Sequence, residues 1–328
     1  MTTLTYEDVF NIMCDHLGDH DYDRLFSADG LSRVRKIMPP FLAGRRFPEI
    51  YLEFPLAGSP FLDATVLYNM LSGEEMITSP LAQGCERMLR CFADLQEDHP
   101  VICCGFEIDT DSPYAAAAVH FEPYEHTECV MPFCQSIGMN QYGELYLKMA
   151  DRMRNTWPLS FFGMFRGRSD APLRVCGYLS TNNSRGGRRV KDTVASALET
   201  AGFSAYDDMM LEDIRTVLDA ASSGRDYQMD VYPDGTTGDT FSLDIALSGN
   251  DDMVMSLLKE WHIADGRLDM TGDLRSSFAI PVVDGDDITA FIMIIKPAWV
   301  KFRWKDRLLQ NAKCYCRMQM IEKGLNDV

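Results

Sequence analysis

The sequence predicts an α+β fold in which five β-hairpin units supply ten antiparallel strands, closed into a barrel with helices packed outside. Three observations carry this. An apolar run, a turn-rich gap and a second apolar run recur five times, roughly every 50–70 residues. Helical patterns fill the intervals between them. Within the strands, apolar and polar residues alternate with period two, giving each strand one face for helices and one for an interior. Closure removes the edges that an open sheet would expose.

The elements follow in order. Tyr6–His20 opens the chain as a helix. The first hairpin spans Glu49–Met70, where EIYLEF and LDATVLYNM flank PLAGSPF. The second runs from Val101 to Glu122, the third from Leu159 to Ser180, the fourth from Tyr227 to Ser248 and the fifth from Ser277 to Ile295. Every gap holds Gly, Pro, Asp or Ser, which supply turn geometry. Helical spacing of apolar residues marks Gly84–Leu95, Tyr142–Arg154, Arg189–Thr200, Leu211–Ala221 and Asp251–Trp261. Trp304–Lys323 reads as a long closing amphipathic helix, and the fifth hairpin is expected to pair with the first. With no polar Pro/Gly/Ser linker between units, residues 1–328 are expected to form one domain.

Alternation assigns faces. Leu173, Val175, Gly177 and Leu179 oppose Arg174, Cys176, Tyr178 and Ser180. Phe241, Leu243, Ile245 and Leu247 oppose Ser242, Asp244, Ala246 and Ser248. Leu62, Ala64, Val66 and Tyr68 oppose Asp63, Thr65, Leu67 and Asn69. The second face of each strand is assigned to the lumen, which is therefore polar and aromatic. Ten strands enclose room for a small ligand.

Composition bounds the function. Of 328 residues 46% are hydrophobic, enough for a large core, and the net charge of −18 repels phosphate backbones and anionic lipid. Nucleic-acid and membrane-surface binding are therefore not expected. No apolar run approaches the ~18 residues of a membrane helix, and the acidic MTTLTYEDVF lacks a signal peptide's basic start, so a cytoplasmic location is expected. The ten cysteines form no CxxC and fall largely in apolar patterns, as reduced buried residues do.

The five hairpin-and-helix units resemble the soluble aromatic prenyltransferases of the PT-barrel (ABBA) fold. The resemblance covers nearly the whole chain and is best at Asp230–Val231–Tyr232–Pro233 with FSLDIALSGND, then at LDATVLY and RVCGYLS. It implies transfer of an allylic prenyl group from its diphosphate to an aromatic acceptor, a small molecule or a peptide side chain, inside the barrel. Such chemistry needs cations, or a magnesium ion, at the departing diphosphate and aromatic rings around the allylic cation. On the matching positions the resemblance gives catalytic places to Asp63, Tyr178 and Tyr232, with Asp63 also facing a magnesium ion. It places Arg174 at the diphosphate, with Thr65, Cys176, Arg166 and Asp244 as further substrate-binding residues.

The match is incomplete. Where the family carries cations on the second, fourth and fifth hairpins, this chain has Ala117/Ala118, Ser242 and Asp286/Asp287. Lys296, Lys301, Arg166, Arg168 and Arg303 read as strand-end or turn residues, while Glu53, Glu107, Asp230 and Asp244 read as interior acids. Arg174 reads equally as a structural partner of Asp244 or Glu107. Three functions stay open: prenyl transfer, a non-prenylating barrel that binds or modifies another molecule, and chemistry on a cationic substrate drawn to an acidic lumen. The sign of the charge around Arg174 discriminates them, a positive collar favouring diphosphate. His120–Cys129 is dense in metal-ligand types without an established spacing and reads as an exposed acidic loop. The basic run Ser184–Lys191 lacks the GK[ST] of a nucleotide loop.

Overall fold

The computed structural model describes residues 4–19, 25–42, 47–59, 61–68, 86–108, 118–165, 171–179, 190–222, 224–247, 251–274, 276–284 and 287–324. Helices α1 (Tyr6–Asp19) and α2 (Ala28–Ile37) precede strands β1 (Glu49–Pro55) and β2 (Asp63–Tyr68). Then come α3 (Glu86–Asp98) with β3 (Cys103–Ile108) and β4 (Ala118–Glu122), and α4 (Val130–Ser136) and α5 (Asn140–Met153) with β5 (Phe161–Phe165) and β6 (Leu173–Leu179). Helices α6 (Val194–Ala201) and α7 (Asp208–Ala220) lead to β7 (Arg225–Val231) and β8 (Thr237–Ala246). Helices α8 (Asp252–Glu260) and α9 (Arg267–Asp273) lead to β9 (Ser276–Asp284), β10 (Asp287–Lys305) and β11 (Leu308–Gly324).

All pairings are antiparallel, and the order β11-β1-β2-β3-β4-β5-β6-β7-β8-β10 closes through β10–β11 into a ring of ten. The expected strand number and closure hold, but the closing unit differs. The first half of β10 pairs with β9, from Asp287↔Asp284 to Ile295↔Ser276, so β9 lies outside the ring. The second half joins the barrel through Trp299↔Ala246 to Lys305↔Thr240 on β8. The strand that pairs with β1 is β11, from Ile50↔Met318 to Pro55↔Lys313.

The expected helix Trp304–Lys323 is therefore mostly a strand. Ala312, Cys314, Cys316 and Met318 are buried at a spacing of two, while Lys313, Tyr315 and Arg317 occupy the other face. Period two wins because each apolar side chain reaches the core as an outward strand residue of the ring.

Outside the ring, the apolar strand faces and the helices share one core. Phe121 of β4 stacks on Phe133 of α4 with ring centroids 4.0 Å apart, and Tyr146 of α5 packs on Phe162 of β5 at 4.6 Å. Burying each such ring contributes ~1.5–3 kcal/mol. Helix starts are set locally: Ser27 caps α2 by accepting from the Gly30 N–H, and Asp207 caps α7 by accepting from the Met210 N–H. Gly177 marks the tightest approach, since a Cβ there would lie 2.3 Å from the Pro158 carbonyl and 2.4 Å from the Tyr227 ring. That ring is fully buried and donates its hydroxyl hydrogen to the Trp157 carbonyl. Among the described residues no helix is long and apolar enough to cross a membrane.

Candidate functional site in the barrel lumen

The inward strand faces enclose a cavity of about 560 Å³. Alternation delivers its lining as the sequence predicts: Thr65 from β2, Arg174 and Tyr178 from β6, and Ser242 and Asp244 from β8. Seven carboxylates face it (Glu49, Glu53, Glu107, Glu122, Asp226, Asp230 and Asp244), against four cations (Arg174, Lys301, Arg303 and Lys313) and His120. Tyr51, Phe161, Trp299 and Tyr315 supply aromatic wall.

Strand register decides how these charges meet. Arg174 and Asp230 are directly opposed on β6 and β7, and the guanidinium Nε donates to Asp230 Oδ1 at 3.1 Å. The carboxylate partner is thus Asp230 rather than Asp244 or Glu107. Burial disfavours the Arg174 charge, but Asp230 and Glu107 outweigh it and hold the guanidinium firmly protonated. Its carbon also lies 4.8 Å from the centre of the Phe165 ring. Lys313 donates to Glu53, and Arg317 pairs with Glu49. Lys301 donates to the Tyr315 hydroxyl at 2.7 Å and to Gln228 Oε1 at 3.1 Å, with Asp244 at 3.7 Å. Lys301 and Arg303 are lumen residues rather than strand-end residues, because β10 continues to Lys305.

The acids are perturbed in a pattern. Burial, reinforced by Asp244 and Glu122, pushes the Asp226 carboxyl well above the usual range. Asp244 rises to about 6, chiefly through burial, with Lys301 opposing. Burial also raises Glu122, although the Tyr124 hydroxyl donates to it at 2.8 Å. Glu107 goes the other way. Burial would raise it, but His120, 3.5 Å away, together with Arg174 and Lys301, holds it below the ordinary carboxylate range. Asp226 stands directly opposite Asp244, and Asp226 Oδ1 is buried without a hydrogen-bond partner.

In the sequence His120 stands out only as part of a ligand-dense stretch. Its cross-strand neighbours are Gly105 and Gly163, and a Cβ at Gly163 would lie 3.0 Å from the imidazole. Paired glycines opposite a strand histidine are the signal that could have found it.

The other sequence-assigned residues are scattered. Cys176 lies on the Arg174–Tyr178 face, fully buried, and burial pushes its thiol well above the usual range, which leaves no thiolate nucleophile. Tyr178 is 46% exposed at the cavity rim. Tyr232 lies beyond the end of β7, 40% exposed, in the turn where its N–H donates to the Thr236 carbonyl. Asp63 is half-buried at the end of β2, opposite Glu53. It is not among the described side chains lining the cavity, and no group of three metal-ligand residues forms about it among the described residues. The opposed Glu53 is engaged by Lys313. Arg166 lies outside the described residues, as do Arg168 and most of Ser184–Lys191.

No protein-family model matches the sequence, and no curated protein does. Solved structures do match the fold. The prenyltransferase PriB, in a ternary complex with L-tryptophan and dimethylallyl thiolodiphosphate, superimposes with a TM-score of 0.51 at 14% identity, over 96% of both chains. The NotF prenyltransferase gives 0.54 at 10% identity, and AnaPT from Neosartorya fischeri gives 0.52 at 9%. Each covers 96% of this chain and 92% of its own. The closed ten-stranded antiparallel ring with outer helices is thus the aromatic-prenyltransferase (PT) barrel fold. At these identities the likeness fixes the architecture of the chain and leaves its ligand to the lumen residues.

Proposed function

We propose that the lumen binds a small aromatic molecule or peptide side chain carrying a cationic group, in a barrel that has lost the diphosphate site. The observation that carries this is Asp226, a half-buried carboxylate facing the cavity with one buried oxygen unpartnered and a second carboxylate opposite it. An ammonium or guanidinium between Asp226 and Asp244 would satisfy that oxygen and relieve the like-charge pair. Tyr51, Trp299 and Tyr315 offer rings to its apolar body and cation–π contact to its charge. A diphosphate meets the reverse situation. Arg174 and Lys313 already hold carboxylates, Lys301 lies near Asp244, and three more carboxylates than Lys and Arg side chains face the cavity.

The experiment compares ligands sharing one ring system. Calorimetric titration should show tryptamine, a cation, binding more tightly than indole-3-acetate, an anion. Asp226→Asn should weaken tryptamine by roughly 10–150-fold, the effect of losing a charged hydrogen bond. Equal binding of both indoles, or no effect of the substitution, would remove the reading.

Prenyl transfer is the second reading. Support for it comes from Arg174, Lys301 and Arg303 facing the same aromatic lumen, and from the fold shared with PriB, a prenyltransferase solved with L-tryptophan and dimethylallyl thiolodiphosphate. On this reading a prenyl diphosphate enters beside the acceptor. Incubation with L-tryptophan and dimethylallyl diphosphate, followed by mass spectrometry for an alkylated product, tests it. A turnover product would displace the first reading.

A further inference from the structure

We propose that His99, His126 and Glu128 form a binding site for a divalent transition-metal ion such as Zn²⁺, away from the lumen. None of the three lines the cavity. Pairing of Cys103 with Glu122 on β3 and β4 brings the connections at that end of the hairpin together. His99 stands four residues before Cys103 and His126 four residues after Glu122, so the register itself places the two imidazoles side by side. Their ring centroids are 4.5 Å apart.

The donor atoms converge on one carboxylate. His126 Nδ1 lies 3.3 Å and His99 Nδ1 3.8 Å from Glu128 Oε1, and the three ligand atoms all lie within 4.8 Å of one another. Tetrahedral zinc with bonds of about 2.0–2.2 Å sets its ligand atoms ~3.4 Å apart. The His126–Glu128 edge already has that length, and the remaining edges, none longer than 4.8 Å, must close toward it. The backbone under each ligand is fixed. The His99 N–H donates to the Leu95 carbonyl at 2.9 Å, continuing the last turn of α3, and the His99 carbonyl accepts from Ile102 at 3.1 Å. The His126 N–H donates to the Pro123 carbonyl at 2.9 Å and its carbonyl accepts from Cys129 at 3.0 Å.

The donor set selects the ion class. Two imidazoles and one carboxylate suit Zn²⁺, Ni²⁺ or Cu²⁺, whereas Mg²⁺ and Ca²⁺ require oxygen ligands. Three protein ligands leave one tetrahedral position for water. Binding ties the α3–β3 connection to the β4–α4 connection and stabilises the folded chain by mass action. The stretch His120–Cys129 supplies only two of the ligands, and the third comes from the connection just after α3, which is why spacing within the stretch does not reveal the site.

The test uses the full chain freed of metal by chelation. Titration calorimetry should show one Zn²⁺ per chain and a melting temperature that rises with Zn²⁺. Co²⁺ should give a visible spectrum without sulfur-to-cobalt charge transfer, which excludes the cysteines as ligands. Glu128→Gln, at a largely exposed position, should weaken binding at least tenfold, and the His99→Ala/His126→Ala double variant should lose it. No binding by the wild type, undiminished affinity in Glu128→Gln, or a thiolate band with Co²⁺ each overturns the proposal.

Discussion

Asp226 and Asp244 occupy directly opposed positions on β7 and β8, with both side chains lining the lumen. Two carboxylates held together in a buried site resist ionising together. Their register follows from one hairpin, and their consequences extend to stability and to ligand choice.

Folding stability should fall as pH rises through the titration of these groups. Asp244 titrates at about 6 in the folded barrel, against roughly 3.9 in an unfolded chain. A raised folded-state pKa gives stabilisation that is complete below the unfolded value and is lost as pH rises through the folded one. Asp226, also raised, acts in the same sense. Urea unfolding at about pH 4 and about pH 7.5 measures the drop. In Asp244→Asn the drop should shrink by up to about 3 kcal/mol; an unchanged drop contradicts the assignment.

Arg174→Ala should destabilise the barrel, because Asp230 then loses the guanidinium opposed to it. Both side chains keep some solvent contact, at 25% and 19% exposure, so the cost should be ~1–3 kcal/mol. Removing both, as Arg174→Leu with Asp230→Leu, should cost less than Arg174→Ala alone. Chemical denaturation of the three chains tests this, and a double variant worse than the single would refute the pairing.

The packing of Gly177 gives a prediction independent of charge. An alanine Cβ there meets backbone carbonyl oxygen and a buried ring at less than 2.5 Å, and neither has room to retreat. Gly177→Ala should lower stability by ~2–4 kcal/mol. A melting temperature within a degree or two of wild type would mean that β6 and Tyr227 are not packed this way.

Hairpins β1–β8 were legible because period-two alternation and turn residues agree within each of them. The last unit was not. Trp304–Lys323 satisfies a helical spacing as well, and only the run from Asn311 to Met320 alternates strictly enough to decide for a strand. The lumen faces of β2, β6 and β8 followed from alternation, which put Thr65, Arg174 and Asp244 on the cavity. Partnerships were illegible, since Arg174 meets Asp230, and Lys313 meets Glu53, through registers between distant segments. Asp63 and Tyr232, carried over from a family pattern, lie at strand ends, where a shift of one or two residues changes what a side chain faces.

The closing hairpin yields a test of organisation. A chain ending at Arg307 lacks β11 and exposes the edges of β1 and β10 to which it pairs. We expect residues 1–328 to behave as one cooperative domain, so this truncation should be insoluble or melt without cooperativity. A soluble, cooperatively melting truncation would contradict the ring as the folding unit.

We propose a lumen that takes a cation rather than a diphosphate. The most direct measurement is a thermal melt of the full chain with tryptamine, and in parallel with dimethylallyl diphosphate, with and without Mg²⁺. A concentration-dependent rise with tryptamine, absent in Asp226→Asn, together with no shift from the diphosphate, is the predicted result. A rise with the diphosphate that Arg174→Ala abolishes, with no response to tryptamine, would contradict the account.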